Sequence, residues 1–123
     1  MEQSAASNVS VSLEVRPHPL RSGGEAEWEF RLRNDGLDPV GLTFPTAQLG
    51  DVALEQDGSE RWRWSDGKLF LQVLTERELA VGEAWSFTLE GGPSVEPGRY
   101  EAVATVRAEP APSRARTTVL VEA

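Results

Sequence analysis

Residues 40–70 read VGLTFPTAQLGDVALEQDGSERWRWSDGKLF, and the spacing of their apolar side chains decides the fold class. Val40, Leu42 and Phe44 alternate, then Val52 and Leu54, then Trp62 and Trp64, with polar or small residues between them. An extended chain sends successive side chains to opposite faces, so this is the period of a strand. Asp57-Gly58 separates the second and third runs and Asp66-Gly67 follows the third. Both dipeptides tolerate the positive φ of tight turns. The stretch is therefore expected to form a small meander of strands. In Arg61-Trp62-Arg63-Trp64 the indoles fall on one face and the guanidinium groups on the other. A one-residue slip would bury two cations, so the register is firmly set.

Working outward, Val9, Val11, Leu13 and Val15 alternate with polar residues, as in a half-buried strand. The segment 16–24 then carries two prolines and two glycines and reads as a loop. Ala26, Trp28, Phe30 and Leu32 share one strand face, while Glu25, Glu27, Glu29, Arg31 and Arg33 share the other. After Phe70 the pattern weakens, because Leu71, Val73 and Thr75 or Gln72 and Leu74 fit a buried face equally well. Residues 75–79 read as a strand, since a Val81-Gly82 turn follows and Trp85, Phe87 and Leu89 resume the alternation. Tyr100, Ala102, Ala104 and Val106 form another buried stripe. Tyr100, just after Pro97-Gly98, occupies the place of the tyrosine corner of immunoglobulin-like sandwiches, whose hydroxyl bonds back to upstream backbone. A last strand is expected over about 114–121, rich in threonine and valine. Eight or nine short strands without a helix predict an all-β antiparallel sandwich, one domain over residues 9–123 behind a frayed terminus at 1–8. The four tryptophans, Trp28, Trp62, Trp64 and Trp85, run in phase with the core positions and are expected inside.

Composition removes several function classes. Twenty acidic residues against 12 basic give a net charge of −8, which repels a phosphate backbone and argues against nucleic acid. With no cysteine there is neither a disulfide framework nor a thiolate metal site, which fits a reducing cytoplasm. No apolar run approaches the length that spans a bilayer, so no membrane association is expected. The one histidine, His18, lies between two prolines with no nucleophile motif to serve, and one histidine without cysteine does not make a zinc site. Glu25, Glu27 and Glu29 are explained by a solvated strand face. The residues give no enzyme, no metal and no cofactor.

The run LTFPTAQLGD, followed by RWRWSDGKLFLQVL, the Val81-Gly82-Glu83 turn and Glu96-Pro97-Gly98-Arg99-Tyr100, resembles the BsuPI-type intracellular proteinase inhibitors over about residues 30–106. Asn34, Gln48, Asp51, Trp62, Ser65 and Phe70-Leu71-Gln72 recur in the family's order, while Gly50 stands where an aromatic residue is expected and Val73 where a small one is. The resemblance implies an immunoglobulin-like β-sandwich. It also implies a monomeric cytoplasmic inhibitor whose partner is a serine proteinase, subtilisin-like, blocked by non-covalent insertion of an ordered loop. The alternative is an immunoglobulin-like structural or protein-interaction module with no proteinase partner.

Two loops qualify as the contact. In 45–51, the φ-locking Pro45 opens a loop with Thr46, Gln48, Leu49 and Asp51, in which Leu49 offers an apolar anchor. In 17–21, two prolines flank His18, and Pro17, Pro19, Leu20 and Arg21 complete the loop, with Leu20 and Arg21 expected exposed. For both, an ordinary connection is the plain alternative, with Gln48 and Asp51 bonding local backbone.

Overall fold

The computed structural model describes residues 8–109 and 114–123; the terminus expected to fray lies outside them except for Asn8. The strands are β1 (Val9–Arg16), β2 (Leu20–Arg21), β3 (Glu27–Asn34), β4 (Val40–Phe44), β5 (Gly50–Gln56), β6 (Ser59–Arg63), β7 (Thr75–Leu79), β8 (Ala84–Glu90), β9 (Gly98–Val106) and β10 (Arg114–Glu122). They form an immunoglobulin-like sandwich from a three-stranded sheet β1-β3-β8, a five-stranded sheet β2-β10-β9-β5-β6 and a two-stranded sheet β4-β7. Among the described residues no helix is long and apolar enough to cross a membrane.

The alternation read from the sequence sets which face each strand buries. Trp28, Phe30 and Leu32 of β3, Val40, Leu42 and Phe44 of β4, and Val52 and Leu54 of β5 are all buried in one cluster with Tyr100, Ala102, Ala104 and Val106 of β9. Aromatic contacts tie the sheets together. Trp28 of β3 stacks on Trp62 of β6 with centroids 5.6 Å apart, and Phe44 of β4 meets Trp85 of β8 edge-on at 5.7 Å. Trp28 is fully buried, whereas Trp62, Trp64 and Trp85 lie half-buried against the core. The β5–β6 hairpin turns at Asp57 and Gly58, whose φ values of 54° and 77° are those the dipeptide was expected to supply. The Tyr100 hydroxyl donates to the Glu96 carbonyl at 2.6 Å, closing the tyrosine corner.

Three expectations need correction. The 40–70 stretch is not a meander: β4 pairs with β7, and β5 pairs with β9 and β6. Alternation fixes which face is buried but not which strand lies alongside, so strands close in sequence need not be paired. Leu20-Arg21, read as exposed loop, forms a two-residue strand parallel to β10, pairing with Val121 and Glu122, and Leu20 is wholly buried. Residues 69–74 take neither of the buried phases open to them and join no strand.

Candidate functional site

The chain crosses between the β4-β7 sheet and the five-stranded sheet twice, at 45–49 and at 64–74. Phe44, where the first crossing leaves β4, is the register partner of Thr75, where the second enters β7. On the other sheet the first crossing enters at Gly50 of β5 and the second leaves after Arg63 of the antiparallel β6. Both crossings therefore lie at one end of the sandwich, and the Ala47 amide donates to the Leu71 carbonyl at 2.9 Å to join them.

The longer crossing has a firm base and an apolar crest. Trp64 donates its backbone amide to Val52 O and its indole Nε1 to Glu90 O, both at 2.8 Å, and the Phe70 ring lies 5.8 Å from its own. Two successive turns follow, with Asp66 N donating to Arg63 O at 3.2 Å and Lys68 N to Ser65 O at 3.0 Å. The Lys68 ammonium sits 4.6 Å from the Trp64 ring centroid, a cation–π contact. Beyond this base Leu69, Leu71, Val73 and Leu74 are 99, 72, 49 and 62% exposed. Single exposed aliphatics are ordinary, and Leu37 in another turn is one, but four within six residues form a patch of the kind that marks interaction surfaces.

The base is clamped by Asp51. It lies on the outer face of β5, opposite to Val52 and Leu54, and is only 3% exposed. Its Oδ1 accepts from Val52 N at 2.9 Å and Ser65 N at 3.1 Å; its Oδ2 accepts from Ser65 Oγ at 2.6 Å and Arg63 Nη1 at 2.9 Å. A buried carboxylate is tolerated because every donor it faces is satisfied by it and one of them carries the opposite charge. Arg63 also holds Glu60 through Nε at 3.2 Å and Nη2 at 2.6 Å. The bonds to Glu60 and then Asp51 push the Arg63 guanidinium still further above its ordinary value, so it stays charged.

These positions redistribute the residues singled out in the sequence. In the first loop Pro45 and Ala47 are exposed, Thr46 and Gln48 are half-buried, and Leu49 is half-buried against the core. Thr46 Oγ1 accepts from Gln48 N at 3.1 Å and Gln48 Nε2 donates to Gly50 O at 3.1 Å, so Gln48 serves the loop's own shape. Leu49 is thus no free anchor, and Asp51 belongs to the scaffold. In the second loop Pro17, His18 and Arg21 are exposed and Pro19 is half-buried, but Leu20 fills the core and Arg21 Nη1 donates to Ala123 O at 3.1 Å. That segment pairs with the end of β10, and the apolar residue that recommended it is inside the core. Gly50, taken as a loop position, starts β5, and a Cβ there would stand 3.1 Å from both Phe30 and Phe87, themselves stacked at 4.6 Å. Two phenylalanines occupy the space that an aromatic residue at 50 would need. The exposed segment 69–74 was not among the loops chosen from the sequence, although its lack of any clear phase was a signal that it joins no strand.

The BsuPI family, described as intracellular proteinase inhibitor, matches residues 13–111. No curated protein sequence matches the chain. Among solved structures, the sporulation control protein Spo0M of Bacillus subtilis is similar at TM-score 0.58 and 16% identity, over 94% of this chain and 50% of that one. The alkylpurine DNA glycosylase AlkC of Pseudomonas fluorescens, bound to DNA containing an abasic site analog, follows at TM-score 0.55 and 16% identity, over 94% of this chain and 31% of that one. A β-glucosidase of Erythrobacter marinus gives 0.54 and 13% over 92% and 15%. This chain thus spans half or less of each of these structures, and likeness at such identities shows the fold alone.

Proposed function

Since the chain belongs to the BsuPI family of intracellular proteinase inhibitors, we propose that it blocks a subtilisin-like serine proteinase inside the cell by non-covalent insertion of the 64–74 crossing into the substrate cleft. One observation carries the loop assignment: residues 69–74 are unpaired and expose four aliphatic side chains above a base that Asp51, Arg63 and Trp64 hold in place. The choice of a serine enzyme of subtilisin type rests on the family likeness. An extended segment with free backbone groups can add as a strand to the edge of such a cleft, so main-chain bonds supply affinity and side chains supply selectivity. Order in the free loop matters because each side chain immobilised on binding otherwise costs about 0.5–1.5 kcal/mol. The shorter crossing lies alongside through the Ala47–Leu71 bond, and its exposed Pro45 and Ala47 extend the same face. One chain presents this whole face, which supports reading the inhibitor as a monomer.

The test is a titration of subtilisin with the purified chain, followed by hydrolysis of a small chromogenic substrate. Activity should fall in proportion to added chain and vanish near equimolar ratio. Unchanged activity, or digestion of the chain without inhibition, would refute the proposal and favour a module without a proteinase partner.

A further inference from the structure

Resting on the inhibitory reading above, we infer that Leu69 is the side chain that fills the proteinase's primary specificity pocket, so that the target is an enzyme whose pocket takes a branched aliphatic residue. The crest of the loop offers four apolar candidates, and their surroundings rank them. Leu69 is 99% exposed, so its side chain makes essentially no packing contact with its own sandwich. Its two neighbours are fixed: Lys68 N is bonded to Ser65 O at 3.0 Å, and the half-buried Phe70 turns its ring onto Trp64 at 5.8 Å. In extended chain the residue beside an inward ring points outward, which is where Leu69 stands. Leu71 shares that parity but is less exposed, at 72%, and its carbonyl is taken by the Ala47 amide. A residue in the primary pocket needs its own carbonyl turned to the enzyme's oxyanion donors, which that bond denies to Leu71. Val73 and Leu74, at 49 and 62%, approach β7 and are the more covered pair. Leu49, the apolar anchor expected from the sequence, is half-buried against the core and is less available than Leu69.

The arrangement is that of a side chain presented at a crest and held from both flanks, with no structural task in the free protein. The bond exposed to the enzyme is the one between Leu69 and Phe70. The enzyme's pocket supplies the burial that the fold withholds, and full burial of one leucine side chain corresponds to about 10- to 100-fold in affinity.

Three full-length variants, Leu69→Ala, Leu69→Arg and Leu71→Ala, measured against subtilisin and trypsin, decide the matter, with thermal melting as the control for folding. Leu69→Ala should weaken subtilisin inhibition by about 10- to 100-fold with an unchanged melting temperature, because nothing in the fold loses a contact. Leu71→Ala should weaken it by less. Leu69→Arg should lose subtilisin and gain trypsin, whose pocket takes a basic side chain. If the unsubstituted chain inhibits subtilisin and either Leu69 variant inhibits it equally well, the assignment of Leu69 is overturned while the inhibitory function stands. If the unsubstituted chain does not inhibit, both fall together.

Discussion

Replacing Asp51 by asparagine isolates the one charge that fixes the base of the 64–74 crossing. The new amide keeps an oxygen for the amides of Val52 and Ser65, which now bond Oδ1 at 2.9 and 3.1 Å. Its nitrogen replaces Oδ2, which accepts from Ser65 Oγ at 2.6 Å and Arg63 Nη1 at 2.9 Å. The serine hydroxyl can rotate and accept instead. The guanidinium has no acceptor, so one charge-assisted bond is lost and two donors face each other. Such a bond is worth about 1.5–3 kcal/mol. The Arg63 side chain is 36% exposed and retains Glu60, so part of its loss is recovered in water. The expected cost of Asp51→Asn is therefore about 2 kcal/mol. Asp51→Ala removes the acceptor from all four donors and leaves the Val52 and Ser65 amides without it, for about 3–5 kcal/mol. For a chain this size each kcal/mol lowers the melting temperature by about 4 °C, giving drops of about 8 °C and about 12–20 °C. Melting followed by circular dichroism measures them, and titration of subtilisin well below the transition shows whether the loosened loop also inhibits less. An Asp51→Ala chain that melts within about 4 °C of the parent would refute the clamp, since it would limit four bonds at a 3% exposed carboxylate to about 1 kcal/mol together.

Two further substitutions test the scaffold. Asn34 is wholly buried, its Nδ2 donating to the carbonyls of Asp38 at 2.8 Å and Leu79 at 3.0 Å, so Asn34→Asp sets a carboxyl oxygen against two acceptors. It should cost about 3–5 kcal/mol at neutral pH, by urea unfolding, and the loss should shrink as pH falls toward 4. The sign follows because burial and the two carbonyls raise the folded-state pKa of the new carboxyl, so its protonated form is favoured in the fold and stability is lost as pH rises. Gly92→Ala places a Cβ 1.6 Å from Gly24 O, a backbone atom that cannot swing away, so the 22–24 turn and the 91–93 segment must separate and break the Gly23 N to Pro93 O bond of 2.8 Å. A loss of more than about 2 kcal/mol in the same unfolding assay is expected.

How far these features can be read in the sequence depends on whether local pattern sets them. The buried faces of β1, β3, β8 and β9, the Asp57-Gly58 turn and the Tyr100 corner all follow from spacing and turn chemistry within a few residues. Leu20 escaped because its strand is two residues long and its partner, Val121, lies at the other end of the chain, so nothing near Leu20 marks it as paired. Gly50 escaped for the same kind of reason: the atoms that forbid a side chain there belong to Phe30 and Phe87. The carboxylate of Asp51 looked like a loop residue because its strand begins only one residue earlier and its outward face is covered by Arg63 of the next strand and by Ser65 just beyond it.

The position of the proposed contact face is a consequence of connectivity. β6 lies at the edge of the five-stranded sheet and β7 pairs with β4 in another, so the chain between them must leave one ladder before it can enter the next. Beyond Trp64, whose amide still bonds Val52 O, the backbone of this crossing joins no ladder, and Leu69, Leu71, Val73 and Leu74 stay exposed. The antiparallel pairing of β4 with β7 and of β5 with β6 then forces the 45–49 crossing to the same end, whatever either loop's sequence. A chain without cysteine has no disulfide to stiffen this end. The stiffening falls instead to a carboxylate at the start of β5, where the first crossing ends, bonded to the two residues, Arg63 and Ser65, that flank the exit of the second. Hence the one buried acid on the outer face of β5 stands beside the most exposed apolar run of the described chain: in the proposed inhibitor the first holds the backbone so that the second meets a partner already ordered.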